Sequence, residues 1–527
     1  MNNNRVIVFD TTLRDGQQSP GCGMSFESNI EYARLADALG IDVLEAGFPS
    51  ASQLDFDIVK TIATEMKQRG SRMRVAGLCQ LREAQIYKTM EALAPYHENA
   101  TLHVYLPVDP HLMQASLGKK AEDLSGLVAE VHRLVKIAAD AGLRVEFSPE
   151  GYSRLAHTFD FVSDTIRAAI SGGASVINCP DTIGGACEWQ GENYIVTNMN
   201  KHAQLMAEEF PDHDITWSIH CHNDFGLALA NTMHAVFKGP ARQIEGCING
   251  VGERAGNTAL EQCIMYIKHF GPLQNPENPL HTDCDTTKLK QISNFVAKHM
   301  MMRQPNYPIV GLNSARHSSG GHTNAVLNDP LAYQPFVPSD VGSEVSMIFG
   351  PLSGGNHAKA IIVAAGFICE DDDKAAVAQH IKELYKERRK GVTDKEVIDG
   401  YIDFHAPIRV DALRYAKKEG SVEFTLEGNF FDESEVTLTG QGDDSAMAAL
   451  FEAIISKFPG ITLVDYFAKS QEGDNIQAEC FSQVKVNHKS VGVVIGTATD
   501  RDIEISAMKA LIHAINQAHV HYTRRNK

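Results

Sequence analysis

The segment with the clearest potential for chemistry covers residues 218–224, which read SIHCHND. His220 and His222 are two residues apart, so in a β-strand both side chains point to the same side. Two imidazoles on one side of a strand can bind one divalent metal ion. Two buried histidines that only satisfy hydrogen bonds would give the same pattern, so the neighbouring motifs have to decide.

Two other segments could complete such a metal site. Asp15 lies in the segment DTTLRDGQQ, and Asn257 ends the glycine-rich segment NGVGERAGN. With the nitrogens of His220 and His222, their oxygens would form a ligand set with open positions. Such a set suits a catalytic Mn²⁺, Mg²⁺ or Zn²⁺ rather than a closed structural site. Taken singly, Asp15 could be a helix N-cap and Asn257 a turn residue.

Further polar residues are predicted at the ends of strands, where they would face the same metal ion. An open metal site can chelate a 2-oxo acid and polarise its carbonyl, and Arg14 could stabilise the oxyanion that develops. Glu150 could orient water or a ligand, and His103 and Thr182 face the same mouth by position. The alternatives are a salt bridge for Arg14 and core hydrogen bonds for the others.

The elements that must position these residues alternate between short β-branched strands and helix-period segments. Eight strands are predicted, at residues 6–11, 42–47, 73–78, 101–106, 144–148, 175–179, 215–222 and 243–248. The first helix should end at Gly40, where a left-handed C-cap is needed. This alternation predicts an α/β fold, a (β/α)₈ TIM barrel in which closure makes strand eight the neighbour of strands seven and one. The rival is a doubly wound open sheet, but its GxGxxG fingerprint is absent after strand one.

The pattern changes after the eighth strand. Three domains are predicted: a TIM-barrel catalytic domain at 1–272, helical linker subdomains at 273–403 and a C-terminal α+β regulatory domain at 404–527. In the last domain, helices predicted at 445–457 and 501–517 each follow a glycine-rich loop, which indicates a duplicated strand-strand-helix module. Such a module is more typical of regulation or dimerisation than of a second catalytic site.

Composition and charge exclude several classes of protein. Of 527 residues, 43% are hydrophobic and 22% charged, which is typical of a globular chain. A net charge of −18 argues against binding to nucleic acid or to an anionic membrane surface. Ten scattered cysteines without a CxxC pair indicate a reducing compartment. With neither a signal-peptide pattern nor an apolar run of ~18 residues, we expect a cytoplasmic protein.

The motifs around Asp15, His220 and Asn257 resemble the three signature motifs of a known family. This is the metal-dependent barrel family that contains the 2-isopropylmalate, homocitrate and citramalate synthases, with related lyases and carboxylases. The resemblance extends over essentially the full chain, including a terminal module like the leucine-responsive domain of isopropylmalate synthases. Residues 47–52, GFPSAS, resemble isopropylmalate synthases more than homocitrate synthases.

The resemblance implies that acetyl-CoA condenses with a 2-oxo acid and that the thioester is then hydrolysed. The implied oxo acid is 2-oxoisovalerate, with pyruvate and 2-oxoglutarate, the substrates of the citramalate and homocitrate synthases, as alternatives. The family's roles fall on residues already singled out: the metal ligands on Asp15, His220, His222 and Asn257, the oxyanion-stabilising arginine on Arg14, and the strand-five acid on Glu150.

By the same resemblance, two linker residues take part in catalysis. Residues 313–322, NSARHSSGGH, are similar to the family's HExGIH segment, so His322 takes the place of the histidine implicated in acid/base work. Tyr333 matches the linker tyrosine thought to assist it. In the family, one subunit's linker covers the active site of its partner, so a homodimer is implied, and leucine is implied as an effector.

The linker also departs from the family pattern. Ser318 replaces the usual Glu, Gly321 replaces Ile, and residues 350–358, GPLSGGNHA, replace GKHSGRHA. These changes leave the metal motifs intact and are expected to affect the acetyl-CoA contacts and the base. Two further hypotheses are a lyase of the same superfamily, which does not explain the C-terminal module, and a catalytically silent amino-acid sensor, which would have lost the metal ligands.

Overall fold

The chain folds into two compact units. The structure, a computed structural model, describes residues 4–117, 124–155, 158–300, 305–329, 331–387, 391–418, 421–431, 433–442, 445–470 and 479–525. One unit comprises Met1–Ala315 with Gln334–Val345, and the other comprises Arg316–Tyr333 with Ser346–Lys527. The division into three domains at 272 and 403 stays a prediction.

The first unit is built on a closed parallel barrel with the strand order β1 to β8. The strands are β1 Ile7–Asp10, β2 Val43–Glu45, β3 Arg74–Gln80, β4 Ala100–Pro107, β5 Arg144–Glu150, β6 Val176–Asp181, β7 Thr216–Cys221 and β8 Ala241–Gly246. Because β8 pairs with both β7 and β1, the sheet has no free edge. The predicted (β/α)₈ barrel is therefore confirmed.

Helices cover the outside of this barrel. They are α1 Phe26–Leu39, α2 Gln53–Arg69, α3 Glu83–Leu93, α4 Pro110–Leu112, α5 Leu124–Asp140, α6 Phe159–Ser171, α7 Ile195–Glu209, α8 Ala228–Phe237, α9 Leu260–Gln274 and α10 Leu289–His299. Their buried faces and the outward side chains of the strands form one continuous apolar core. Ser25 caps the start of α1 by accepting from the Ser28 N–H, and Gly40 ends it with φ 86°, as predicted.

The inside of the barrel is only partly apolar. Phe9, Val43 and Ala76 form a small buried cluster there. At the carboxyl end of the strands, the buried side chains are polar or charged instead, and they include Glu45 and Glu245. This part of the barrel is where the candidate site lies.

The second unit begins with a helical region. It contains a two-stranded sheet, β9 Arg316–His317 and β10 Ser346–Met347, and helices α11 Gly320–Asn328, α12 Gly355–Ala364, α13 Lys374–Leu384 and α14 Asp394–Phe404. Phe349, Ile362, Ile381 and Tyr401 are among the buried residues of its core. Among the described residues of both units, no helix has the length and apolar character needed to cross a membrane.

The C-terminal part of this unit is a duplicated module with three strands and a helix in each copy. The first copy is β11 Ile408–Lys418, β12 Ser421–Phe430, β13 Glu433–Gly442 and α15 Ala446–Lys457; the second is β14 Ile461–Ser470, β15 Cys480–His488, β16 Gly492–Asp500 and α16 Ile503–Arg524.

The duplication was predicted, but the count of two strands in each copy was wrong. A register shift between Leu463 and Asp465 interrupts the alternating pattern of β14. The glycine-rich loop predicted before the helix at 501–517 is wrong, since residues 492–500 form β16. Gly496 lies so close to the backbone of α16 at Ala510 that a Cβ would not fit there. Its glycine therefore reflects close packing of the helix on the sheet rather than a turn.

One buried histidine makes the stability of the barrel depend on pH. His202 of α7 bonds Tyr152 through Nδ1 at 2.7 Å and Ser163 through Nε2 at 3.0 Å. Its ring stacks on Phe159 with centroids 4.2 Å apart. Burial lowers the pKa of His202 to about 4. Between that value and its ordinary pKa of about 6.5, the unfolded chain binds the extra proton, so folding is favoured above this window and disfavoured as the pH falls through it.

We therefore expect His202 to cost the folded state about 2 kcal/mol near pH 5 relative to neutral pH. His202→Gln should flatten this part of the pH profile, measured by urea unfolding at both pH values. The exposed His213 offers a control, since His213→Gln should keep the wild-type profile. An unchanged profile in the His202 variant would contradict the assignment.

Candidate active site

Barrel closure brings the four predicted metal ligands together. His220 lies on β7, and His222 is the first residue after that strand. His222 also forms an isolated backbone bridge with Asn257. Ligand atoms of Asp15, His220 and His222 lie within 4.8 Å of one another, and all three residues are buried. The Asn257 side-chain amide donates to Asp15 Oδ1 at 2.9 Å. Four residues from three segments of the chain thus surround one point.

Two buried atoms of this cluster make no hydrogen bond with the described residues. They are Nδ1 of His222 and Oδ1 of Asn257. Buried polar atoms without partners are rare in folded proteins, and a bound ion or its water commonly explains them. Imidazole nitrogens and carboxylate or amide oxygens are also a donor set that divalent cations accept. The residues present therefore fit a divalent metal ion.

The protonation states suit the same purpose. Burial lowers the pKa of His220, and burial with the nearby His220 lowers that of His222 to about 4. Both imidazoles are therefore neutral at pH 7 and retain a lone pair. Burial acts to raise the pKa of Asp15, but Arg14, the two histidines and the hydrogen bond from Asn257 together hold that pKa below its usual range. The cluster presents two neutral nitrogen donors and one carboxylate.

Glu245, which the sequence reasoning missed, orients one of these ligands. It lies opposite His220 in the pairing of β7 with β8, and its Oε2 is 3.2 Å from His220 Nδ1. This contact leaves Nε2 of His220 on the side of Asp15, 3.6 Å from its carboxylate. A carboxylate behind a metal-binding histidine fixes the ring and raises its basicity. The sequence feature that could have identified Glu245 is a charged residue within a strand predicted to be buried.

Other buried groups hold Glu245 in place. Ser218 Oγ donates to it at 3.0 Å and the Asn178 amide at 3.2 Å. Burial raises the pKa of Glu245 to about 7. Burial and the charge of Glu245 raise the pKa of Glu146 well above its usual range, so Glu146 is protonated at neutral pH. Glu146 also accepts from the Gln243 amide at 2.9 Å.

Arg14 is shared between two buried carboxylates. Its Nε donates to Glu45 Oε2 and its Nη1 to Asp15 Oδ2, each at 2.6 Å. Burial alone would lower the pKa of Arg14, but the charges of Glu45 and Asp15 raise it above its usual range. The salt bridge weighed as an alternative for Arg14 is present. Arg14 also lines the cavity above the metal cluster, so a role in oxyanion stabilisation stays a prediction.

The metal cluster opens into a cavity of about 170 Å³ at the carboxyl ends of the strands. Glu150, Thr182 and His103 all line it, together with His220 and His222. Burial raises the pKa of Glu150, and Thr182 Oγ1 accepts from the Gly151 N–H at 2.9 Å. Phe48, Leu78, Tyr105 and Pro180 contribute apolar or aromatic surface.

In His103, another lining residue of the cavity, both ring nitrogens have protein partners. Nδ1 lies 2.7 Å from Glu45 Oε1, and Nε2 lies 2.7 Å from Ser148 Oγ. These are the core hydrogen bonds weighed as the alternative for this residue. Substrate binding by His103 stays a prediction.

The two predicted linker residues lie side by side in the second unit. The rings of His322 and Tyr333 stack with centroids 3.9 Å apart, and Tyr333 is 50% exposed. His317 is a neighbour that the sequence reasoning did not single out, with its ring 5.9 Å from that of His322. Since the residues that line the barrel cavity belong to the first unit, the role of this pair in catalysis stays a prediction.

Comparison with known proteins adds to this geometry. Residues 5–296 match the family described as HMGL-like. The chain belongs to the HMGL-like family. Residues 309–389 further match the homocitrate synthase post-HMGL domain-like family, which covers most of the helical region.

Relatives of this HMGL-like protein match it over its full length. The 2-isopropylmalate synthase of Neisseria meningitidis serogroup B is 31% identical and covers 98% of this chain and 96% of its own. That of Rhodopseudomonas palustris is 32% identical, with 98% and 95% covered. That of Staphylococcus saprophyticus is 30% identical, with 99% and 98% covered. The protein is therefore an enzyme of the isopropylmalate and homocitrate synthase group, and its buried Asp15, His220 and His222 are consistent with the divalent metal site of HMGL-like enzymes.

We expect Glu245→Gln to weaken Mn²⁺ binding by about 10- to 100-fold, because it replaces the carboxylate that contacts His220 with an amide. Glu146→Gln is the matched control, since it replaces a protonated carboxyl inside the barrel with a neutral group of the same shape. Titration of the purified variants with Mn²⁺, followed by electron paramagnetic resonance, gives the affinities. Equal affinity in the Glu245 variant and the wild type would contradict the role of Glu245.

Proposed function

We propose that this enzyme is a 2-isopropylmalate synthase. It would join acetyl-CoA to 2-oxoisovalerate and hydrolyse the thioester, so that acetyl-CoA, the oxo acid and water give 2-isopropylmalate and CoA. The observation that carries the proposal is the buried Asp15, His220 and His222 cluster at the mouth of a barrel, in a chain that resembles 2-isopropylmalate synthases from end to end.

The barrel residues would bind and polarise the oxo acid. A divalent cation, Mn²⁺ or Mg²⁺ with Zn²⁺ as the alternative, would supply Lewis-acid polarisation of the carbonyl when bound by Asp15, His220 and His222, with Asn257 as the fourth ligand. Arg14 would stabilise the negative charge that develops on the same oxygen. Glu150 and Thr182 would position the substrate, since both line the cavity beside Arg14.

The linker residues would remove a proton from acetyl-CoA. A base must remove a proton from the thioester methyl group, and a histidine can do so near neutral pH. We assign this step to His322, with Tyr333 stacked on it to orient the ring. The resulting carbanion adds to C2 of the oxo acid, the oxyanion is protonated, and water then displaces CoA from the thioester.

The lining of the cavity supports 2-oxoisovalerate over 2-oxoglutarate. Phe48, Leu78 and Tyr105 offer a surface for the isopropyl group. A second carboxylate would instead need a cation. Among the described residues that line the cavity, the cationic side chains are Arg14 and Arg254, and each already forms an ion pair with a carboxylate.

CoA release from acetyl-CoA should therefore be fastest with 2-oxoisovalerate, by at least about tenfold over pyruvate, because apolar contact discriminates by that order. The assay uses purified enzyme with Mn²⁺ or Mg²⁺ and compares 2-oxoisovalerate, pyruvate and 2-oxoglutarate. Preference for another oxo acid would assign the protein to a sister synthase, and no release with any of them would refute the condensation.

The proposal extends to regulation and assembly. The duplicated module of β11 to α16 is the candidate for binding leucine as a feedback inhibitor, so leucine should lower CoA release in the same assay. A homodimer in which each linker serves the partner's barrel would bring His322 and Tyr333 to a metal site. The resemblance to the synthase family supports both ideas.

A mixture of two inactive variants tests the shared site. His222→Ala removes a metal ligand in the barrel, and His322→Ala removes the linker base, so each alone should lose turnover. Co-expressed, the two chains should recover about a quarter of wild-type activity, because half of the dimers then hold one site with both histidines. If the linker serves the barrel of its own chain, no mixed dimer has an intact site and activity stays absent.

A further inference from the structure

Two residues of the signature motifs take no part in the metal site or in the proposed chemistry. Asp224 lies two residues after His222, and Arg254 lies three residues before Asn257. We propose that Arg254 is a positioning residue: through Asp224 and the carbonyl of Thr182 it fastens the loops after β6, β7 and β8 together. It thereby holds His222 and Asn257 in place for the metal ion. The inference rests on the proposed function only for the metal site itself.

Arg254 belongs to the loop after β8, and its guanidinium contacts the loops after β6 and β7. Nε donates to Asp224 Oδ1 and Nη2 to Asp224 Oδ2, each at 2.9 Å, and Nη2 also donates to the Thr182 carbonyl at 2.8 Å. This is the two-pronged geometry in which arginine binds a carboxylate, and a lysine cannot reproduce it. Three loops that leave different strands are thus tied to one side chain.

Among the described residues of these loops, the backbone hydrogen bonds that join one loop to another lie near the strand ends. The His222 N–H donates to the Asp181 carbonyl at 3.2 Å, and the Asn223 N–H donates to the Gly256 carbonyl at 2.9 Å. Farther from the barrel, Arg254 spans all three loops by side-chain hydrogen bonds. The contacts of Arg254 therefore add to the backbone hydrogen bonds and the Asn257 amide contacts that already restrain the loop carrying Asn257.

Two unusual backbone conformations serve the same contact. Arg254 has φ 56°, a left-handed conformation that is costly for a residue with a side chain. Gly184 has φ 60°, and a Cβ on it would overlap the Asp224 carboxylate. The loop after β6 therefore approaches Asp224 more closely than any other residue type would permit.

The contact is too exposed to contribute much to global stability. The side chains of Arg254 and Asp224 are 43% and 24% exposed, and ion pairs at this exposure are screened by solvent. Arg254 also lines the cavity, so the experiment must separate positioning through Asp224 from direct contact with the substrate.

A double-mutant cycle on the full-length enzyme makes this separation. Arg254→Ala, Asp224→Ala and the double variant are compared for Mn²⁺ affinity, for KM and kcat, and for hydrogen exchange of residues 182–186, 223–226 and 250–257. Arg167→Ala is the matched control. Arg167 also holds one carboxylate with two nitrogens, Glu209 at 2.5 and 2.8 Å, and is 36% exposed, but it joins α6 to α7 on the outside of the barrel.

Each single variant should bind Mn²⁺ about three- to tenfold more weakly, and the double variant should be no weaker than either, because the two changes remove one interaction. Arg254→Lys should fall between the wild type and Arg254→Ala. Exchange should rise in all three loops, with no larger a change in Tm than in the Arg167 control.

Two results would overturn the proposal. One is unchanged loop exchange in Arg254→Ala, which needs neither metal nor substrate. The other is a raised KM for the oxo acid in Arg254→Ala alone, with Mn²⁺ affinity kept and Asp224→Ala silent, which would assign Arg254 to the substrate. If the wild type itself binds no Mn²⁺, the proposed metal site fails, and loop exchange alone decides the role of Arg254.

Discussion

The closure of the barrel is the constraint on which the rest of the structure depends. Because β8 pairs with β7 on one side and with β1 on the other, Asp15 and Asn257 meet although they are 242 positions apart in the chain. His220, on the strand next to β8, reaches the same point. An open sheet would leave the first and last strands at opposite edges and could not assemble this set of ligands. The chemistry of the enzyme therefore begins with a topological requirement.

Closure also creates a buried space that must accommodate charge. Arg14 lies between Glu45 and Asp15, while Glu245 lies behind His220. Buried charges are tolerated when each has partners, and Glu45, Asp15 and Glu245 are each paired with a cation, an imidazole or hydrogen-bond donors. The network that stabilises these charges also holds the donor atoms of the metal cluster in place. Stability and preorganisation of the site thus have the same physical origin.

The chain divides its work between two compact units. The barrel supplies the proposed metal ligands and the cavity, whereas the second unit carries the stacked His322 and Tyr333 and the duplicated three-strand modules. In the proposed reaction, the barrel activates the oxo acid and the linker activates acetyl-CoA. In the proposed homodimer, assembly of the subunits would be a condition for turnover, and a ligand of the C-terminal module could then influence catalysis.

Sequence alone determined the barrel and predicted the residues of its candidate metal cluster, because the alternation of strands and helices and the spacing of His220 and His222 are local properties. It could not determine which side chains support those ligands. Glu245 and Arg254 act through partners on other strands and loops, and such pairings depend on the register of β7 with β8 and on loop conformation. In the second C-terminal copy the strand count was wrong for a related reason, since a bulge in β14 and the approach of α16 to Gly496 disturb the local pattern. Only the tertiary structure decides such contacts, because they join residues that the sequence leaves far apart.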